Sequence, residues 1–328
     1  SADNHGAILI QSIKDINPNA EFIGIGGKKM QKTGLRSIEN INKLSIIGFV
    51  EVIKHLSYFR ELTEKILEEI KSVQPIQIIL IDYPGFNLRL AKKIKKRFDI
   101  SITYYISPQL WAWKENRIEI IKKHVDALIV LFPFEVEWYK KRGLHVEYFG
   151  HPLVEENLPK RMGKPKKKET YTIALCPGSR QQEITQHLPI LMKLVEGAKK
   201  KQMGLDFELF CAPNIKPSFL QAFIKGSHVT IKTGPILSSF KHVDFAVVAS
   251  GTASLECAIT LTPMVVIYKM SAVSWWTTNW LVKTPFASIV NILAGHKVVM
   301  ELLQKHLTAS RLLTIINGFL NNREQLAE

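Results

Sequence analysis

Short apolar runs rich in β-branched residues alternate with amphipathic helical stretches along the whole chain, and this alternation limits the fold more than any single motif. In the first half the runs cover 21–25, 76–81, 102–106, 127–131 and 146–149. In the second they cover 172–175, 207–211, 229–232, 245–248 and 264–268. Nearly continuous apolar runs separated by helices read as strands of parallel sheets covered on both faces. Between the halves, Lys160-Arg161-Met162-Gly163-Lys164-Pro165-Lys166-Lys167-Lys168 has no apolar face beyond Met162 and reads as an exposed linker. The expected architecture is α/β: two doubly wound, Rossmann-like domains facing a cleft, with boundaries 1–158, linker 159–169 and 170–328.

The 328 residues suffice for two domains with separate cores, and 46% hydrophobic with 22% charged is a globular composition. No uncharged apolar run reaches the ~18–20 residues that span a bilayer. Cys176, Cys211 and Cys257 are widely spaced, in or beside apolar runs. They fit neither a zinc site nor a disulfide framework and read as buried thiols of a reducing compartment. The net charge of +15 points to an anionic partner or to a solvated lysine-rich surface. No RNA-binding or zinc-finger signature accompanies it, so nucleic acid is not the expected partner.

Four loops carry candidate chemistry. The run 245–248 leads into Ala249-Ser250-Gly251-Thr252-Ala253-Ser254-Leu255-Glu256, a turn of small residues opening a helix. Free N–H groups there suit an anion, most often a phosphate, and Glu256 could accept from sugar hydroxyls; a purely structural turn is the other reading. Cys176-Pro177-Gly178-Ser179-Arg180 repeats the pattern. Arg180 offers a fork suited to a diphosphate, or is a surface arginine without a ligand. Asp82, in Ile81-Asp82-Tyr83-Pro84-Gly85-Phe86-Asn87, is a carboxylate at the C-terminal end of a buried strand, either a general base or a helix cap. Ser107-Pro108-Gln109-Leu110-Trp111-Ala112-Trp113 follows another strand end, and its tryptophans either pack or touch ligand.

Further candidates are weaker signals. His151, in Gly150-His151-Pro152, closes the first domain. Ser1 or Asp3 would sit at the cleft end of a strand missing before the first helix. The Gly24-Ile25-Gly26-Gly27 cluster lacks the third glycine of a dinucleotide fingerprint, position 29 being Lys, and is rejected as one.

Two stretches are greasy. Residues 49–72 read as a helix with a stripe of Phe49, Val52, Ile53, Leu56, Phe59, Ile66, Leu67 and Ile70, while Val50, Tyr58 and Leu62 fall outside its centre. Trp275, Trp276 and Trp280 lie beside Lys283, a combination that favours the water–lipid boundary. With the positive charge, these stretches allow a peripheral membrane contact without insertion; core packing is the alternative for each.

Taken in order, Ser1-Ala2-Asp3 with Gly6-Ala7, 81–87, 105–113, Phe132-Pro133-Phe134-Glu135, 177–180, 249–256 and 285–295 resemble the lipid-A-disaccharide synthases over essentially the whole chain. That family is similar to other two-domain (GT-B) glycosyltransferases. The resemblance implies inverting transfer of 2,3-diacylglucosamine from its UDP derivative to the 6-hydroxyl of 2,3-diacylglucosamine 1-phosphate (lipid X), giving a β-1,6 disaccharide 1-phosphate and UDP. It implies Asp82 as base, and Gly178, Ser179, Arg180, Ser250, Gly251, Thr252, Ala253, Ser254 and Glu256 around the nucleotide-sugar. Asn87, Asn291, Glu301 and Gln304 join Ser1, Asp3 and His151 as cleft candidates. Phe49, Val52, Ile53, Leu56, Trp275 and Trp276 become membrane or acyl contacts at the cytoplasmic face of a Gram-negative inner membrane. No cofactor is expected, and the absence of Asp-x-Asp argues against a metal clamp on the diphosphate. The chain departs from the family's pattern at Ala2, where glycine is usual. It also lacks the preceding strand with its Gly-Glu and a C-terminal stretch that can take part in homodimer contacts. A UDP-sugar 2-epimerase and a non-catalytic UDP-sugar or lipid binder are the alternatives.

Overall fold

In a computed structural model, residues 2–40, 56–155, 169–270 and 284–321 are described. Ser1, Phe49, Val52, Ile53, Trp275, Trp276 and linker residues 159–168 lie outside them, as does the side chain of Leu56. The chain divides into two units, Ser1–Pro152 and Leu153–Glu328.

The first unit runs α1 (Ala2–Ile16), β1 (Phe22–Gly26), α2 (Lys28–Lys32), β2 (Leu35–Asn40), α3 (Leu56–Val73), β3 (Gln77–Ile81), α4 (Pro84–Arg97), β4 (Ser101–Tyr105), α5 (Ile118–His124), β5 (Ala127–Val130), α6 (Pro133–Lys140) and β6 (Glu147–Tyr148). All pairings are parallel: β1 with β2, and β3-β4-β5-β6 in sequential order. Leu80, Ile102, Tyr104, Leu128 and Val130 are buried in one core with Phe86, Leu90, Ala91 and Ile94 of α4. Ile81 also packs on a smaller cluster of Ala7, Ile10, Met30 and Leu35, which ties α1 and the β1–β2 pair to β3.

Phe59, Leu62, Ile66, Leu67 and Ile70 of α3 are buried in the larger core. Their spacing keeps them on one helix face. This part of the greasy stretch is therefore core, and it offers no surface to a membrane. Leu62, expected off the stripe's centre, is 4% exposed and belongs to it.

The second unit runs β7 (Tyr171–Cys176), α7 (Gln181–Lys200), β8 (Leu205–Cys211), α8 (Pro217–Ile224), β9 (Val229–Thr233), β10 (Phe245–Ala249), α9 (Thr252–Ile259), β11 (Met264–Tyr268), α10 (Ile289–Ala294), β12 (Met300–Leu303) and α11 (Ala309–Asn321). Its six parallel strands lie in the order β12-β11-β10-β7-β8-β9. The order reverses between β7 and β10, the mark of a doubly wound sheet whose ligands bind at that switch. Alternation along each strand sends successive side chains to opposite faces. Ile173, Leu175, Phe245 and Val247 meet α7 and α11 on one face. Ala174, Cys176, Ala246 and Val248 meet Phe240, Val243 and Cys257 on the other. All three cysteines are buried free thiols, as expected.

Strands β2 and β12 escaped the sequence reading. Both are outermost in their sheets, and their residues (Leu35-Arg36-Ser37-Ile38-Glu39-Asn40; Met300-Glu301-Leu302-Leu303) lack the two-sided apolarity of inner strands.

The small-residue face sets a packing limit. Ala246, fully buried in the cluster that holds Phe240, would have to fit three more carbons as leucine. Ala246→Leu is expected to lower stability by about 1–3 kcal/mol through overpacking; an unchanged denaturation midpoint would mean that this face is loose.

Candidate functional site

In the first unit the carboxyl ends of β3, β4 and β5 converge on a strained group of loops. Asp82 (φ 49°) and Tyr83 (φ 46°) both lie in the left-handed region, as do Ile106 (φ 68°) just past β4 and Lys114 (φ 54°) further on. Each such non-glycine residue costs on the order of 1–3 kcal/mol and persists only where its surroundings fix it. At Asp82 they do. Its N–H donates to the Tyr105 carbonyl at 3.1 Å. Its carbonyl accepts from the Tyr104 hydroxyl at 2.6 Å and from Asn87 Nδ2 at 2.7 Å. Asn87 also donates to the Ile81 carbonyl at 3.1 Å, so this candidate braces the turn. Burial, then the Asp82 charge, holds the Tyr104 phenol well above its ordinary pKa, so it stays a donor. The half-buried Asp82 carboxylate accepts no hydrogen bond among the described residues.

Glu135, in the first turn of α6, organises the next two loops. It is 2% exposed and accepts from Ser107 Oγ (2.8 Å), Trp111 Nε1 (3.0 Å) and the Leu131 and Phe132 N–H groups (3.2 and 3.0 Å). Burial raises its pKa while these four donors pull it down. Trp111 is thereby a packed residue, whereas Trp113 is only half-buried.

A run of rings follows the same edge. Tyr105, His5, His151, Phe132, Phe134 and Trp111 lie in succession with centroid separations of 6.4, 6.2, 5.5, 5.9 and 5.0 Å. Burial, then the neighbouring His5, brings His151 down to about 4, so it is neutral at neutral pH. His5 is buried, and its Nδ1 has no partner among the described residues. Asp3 has a structural duty: its carboxylate accepts from the N–H groups of Gly27 (2.8 Å), Lys29 (3.1 Å) and Met30 (3.1 Å) at the start of α2.

In the second unit the matching loops follow β7 and β10, the two strands flanking the switch. After β7, Gly178 has φ +115°, and a Cβ there would lie 2.7 Å from Glu183 Oε2. Arg180 is 77% exposed and pairs with Glu183 Oε1 at 2.7 Å. The Ser179 carbonyl accepts from Asn214 Nδ2 at 2.7 Å. Fully buried His187 ties this loop down: its Nδ1 lies 2.7 Å from the Pro177 carbonyl and its Nε2 accepts the Lys269 N–H at 2.8 Å. The proton therefore sits on Nδ1, and burial lowers the pKa of this neutral ring.

After β10, Gly251 has φ +147° with open space where a Cβ would be. Ser250 Oγ donates to the Ala287 carbonyl at 2.6 Å, and Ser254 Oγ to the Gly251 carbonyl at 2.7 Å. Both hydroxyl protons thus brace the turn. Gly251 and Thr252 are exposed, and Ala253 is half-buried. Glu256, four residues further on, is half-buried with no hydrogen bond to its carboxylate among the described residues, and burial pushes it up to about 7.

Asn291 and Glu301 hold the neighbouring loop. Glu301 accepts from the Ala287 and Ser288 N–H groups, both at 2.9 Å, and from Asn291 Nδ2 at 2.7 Å. The buried Asn291 also accepts from the Val298 and Val299 N–H groups at 2.8 Å. The Gln304 amide, oriented as its neighbours require, donates to the Met270 carbonyl and accepts its N–H, each at 3.2 Å.

Sequence reasoning missed Tyr104, Glu135, His187 and Asn214. Glu135 had a local signal, an acidic residue in the first turn of a helix opened by Pro133. His187 had none, because its partners lie 10 and 82 residues away.

The sequence matches the family described as lipid-A-disaccharide synthetase over residues 1–328. It is 37% identical to lipid-A-disaccharide synthase 1 of Legionella pneumophila (strain Lens) over 99% of this chain and 87% of that protein. It is 35% identical to lipid-A-disaccharide synthase of Nitrosococcus oceani over 99% and 86%. Among solved structures, MnaA of S. aureus with UDP has a TM-score of 0.64 at 10% identity, covering 100% of this chain and 87% of that one. MurG of Acinetobacter baumannii has a TM-score of 0.56 at 13% identity, covering 100% and 90%. These structural likenesses are of fold, the two-unit α/β fold of GT-B enzymes.

Glu256 yields a pH prediction. Its folded pKa lies above the unfolded value of 4.5, so the fold favours the protonated form. Stability tied to that proton is present at low pH and is lost as pH rises from 4.5 through about 7. Glu256→Gln is expected to be more stable than the parent by on the order of 1–3 kcal/mol at pH 8, with the gap closing toward pH 4.5. Thermal melts across this range check it; a pH-independent gap would count against the assignment.

Proposed function

The chain belongs to the lipid-A-disaccharide synthase family, and from that membership we propose that it transfers 2,3-diacylglucosamine from a UDP donor to the 6-hydroxyl of 2,3-diacylglucosamine 1-phosphate. The products are a β-1,6-linked disaccharide 1-phosphate and UDP. The observation that carries the mechanism is the Asp82 turn: backbone pinned by Tyr104, Tyr105 and Asn87, carboxylate without a hydrogen-bond partner among the described residues.

Asp82 takes the proton of the acceptor hydroxyl as its oxygen attacks the anomeric carbon. The bond to the UDP oxygen breaks with inversion, and negative charge gathers on the leaving diphosphate. Arg180 and the N–H groups at the start of α9 meet that charge; Gly251 keeps the backbone there open to approach. Arg180 would exchange Glu183 for the diphosphate, since a 77%-exposed ion pair is weak and easily opened. Glu256 accepts the ribose hydroxyls, which supply the donors its carboxylate lacks. No metal is invoked.

The epimerase reading draws support only from fold, at 10% identity to the UDP-GlcNAc 2-epimerase of Neisseria meningitidis. Inverting C2 of the sugar needs no acyl-bearing acceptor, which separates the two readings experimentally.

Among the described residues no helix is long and apolar enough to cross a membrane. Acylated substrates nonetheless require a lipid surface. We assign that contact to Phe49, Val52, Ile53, Leu56, Trp275 and Trp276, with the +15 charge drawing the protein to anionic headgroups at the inner face of the inner membrane.

UDP release is expected only with the lipid acceptor, unaffected by a chelator. Asp82→Asn should lower kcat by about 10²–10⁴-fold with UDP affinity intact. C2 inversion without acceptor would replace the transferase reading, and near-normal turnover of Asp82→Asn would remove the base. Polar substitution of Phe49, Val52 and Leu56 is expected to weaken liposome binding at unchanged UDP affinity; unaltered binding would exclude docking through those residues.

A further inference from the structure

Three cations gather beside the Asp82 turn, and no role described so far uses them. Arg89, on α4, donates from Nε to the Gly85 carbonyl at 2.7 Å, so it lies against the loop that carries Asp82 and Tyr83. Lys114 and Arg117 follow the Ser107–Trp113 loop. Lys114 Nζ lies 4.6 Å from the centre of the Trp113 ring and Arg117 Cζ 6.0 Å from it, so the ring gathers both charges. The left-handed backbone of Lys114 (φ 54°) holds it there.

The three groups share one field. Burial and then Arg89 lower the Arg117 pKa, while burial and then Arg117 lower that of Lys114. Arg117 also acts on Tyr104, the residue whose hydroxyl grips the Asp82 carbonyl at 2.6 Å. Arg89 likewise acts on Tyr83. Among the described residues neither Arg89 nor Arg117 has a carboxylate in ion-pair range, and the two acidic residues flanking Arg117 in sequence pair with other cations. Glu115 pairs with Arg142 at 2.7 Å and Glu119 with Lys122 at 3.1 Å. Two guanidinium groups with no carboxylate in ion-pair range carry a like-charge repulsion that an anion arriving between them relieves.

We propose that Arg89, Lys114 and Arg117 form a phosphomonoester site that holds the 1-phosphate of the acceptor sugar beside Asp82. The inference rests on the proposed acceptor. A dianion there neutralises the mutual repulsion of the three groups, and the two guanidinium forks suit its tetrahedral oxygens. The phosphate at C1 and the attacking 6-hydroxyl sit on opposite sides of one sugar ring. Fixing the first therefore orients the second toward the base, a positional contribution to catalysis.

The test compares diacylglucosamine 1-phosphate with diacylglucosamine lacking the phosphate as acceptors for the parent protein, Arg89→Ala/Arg117→Ala, and the charge-keeping Arg89→Lys/Arg117→Lys. The parent should prefer the phosphorylated acceptor by at least about tenfold in kcat/KM. The alanine variant should raise the phosphorylated acceptor's KM about 10–100-fold, bring the preference near one and leave donor KM unchanged, with the lysine variant intermediate. Equal losses on both acceptors, with a shifted pH–rate profile, would mean that the cations act on Asp82 and would overturn the proposal. So would lost binding to phosphatidylglycerol vesicles with the acceptor preference intact, since the anion would then be a lipid headgroup. Titration with glucosamine 1-phosphate against glucosamine requires no turnover. If the parent protein transfers to neither acceptor, the proposed activity fails, while selective phosphate-dependent binding lost in the alanine variant still supports the site; equal binding of the two sugars refutes it.

Discussion

The structure depends on how sharply the chain must turn where a parallel strand gives way to its helix. A strand buried on both faces ends with its last peptide groups unpaired, and these must find partners within a few residues. The same solution recurs in both units: a polar side chain from the early turns of the following helix reaches back into the loop. Asn87 holds the carbonyls of Ile81 and Asp82, Glu135 the N–H groups of Leu131 and Phe132, and His187 the carbonyl of Pro177. Ser254 reaches the Gly251 carbonyl in the same way. Removing Glu135 or His187 would leave the buried Leu131 N–H or the buried Pro177 carbonyl without that partner, which costs more than the net worth of the bond.

This bracing divides polar residues into two kinds. Those hydrogen-bonded to loop backbone shape the loops: Asp3, Asn87, Glu135, His187, Asn291 and Glu301. Asp82 and Glu256 differ, because both are half-buried carboxylates that accept nothing from the described residues. Partial burial makes an unpartnered carboxylate costly in the absence of ligand and strengthens its interaction with any donor that arrives.

Much of the fold was legible because most strands are apolar runs. All ten such runs became strands, edge strands β1, β3, β6 and β9 included, while β2 and β12, which carry Arg36 with Glu39 and Glu301 respectively, did not stand out. Of the candidate site, the positions of Asp82, Gly178, Gly251 and Glu256 just past strand ends were legible in the sequence. Which polar residues brace the loops was not. Asn291 and Glu301 look as functional in sequence as Glu256 does, and only their bonds to the segments on either side of α10 show that they hold this loop. The stripe on α3 posed the same difficulty in reverse, because an apolar helix face reads alike whether it meets lipid or a sheet.

The two units meet the shared turn problem with opposite backbone chemistry. In the second unit, glycines take the positive φ values, at Gly178 and Gly251. A glycine leaves the peptide N–H groups uncovered, which suits a loop whose working parts are backbone donors. In the loops after β3 and β4 of the first unit the positive φ values fall instead on Asp82, Tyr83, Ile106 and Lys114. Glycine at Asp82 or Lys114 would relax the backbone and delete the carboxylate or the ammonium group. Strain at those positions is therefore the cost of needing a side chain where the turn prefers none. The loops after β3 and β4 thus keep side chains at their tightest turns, whereas those after β7 and β10 leave backbone uncovered.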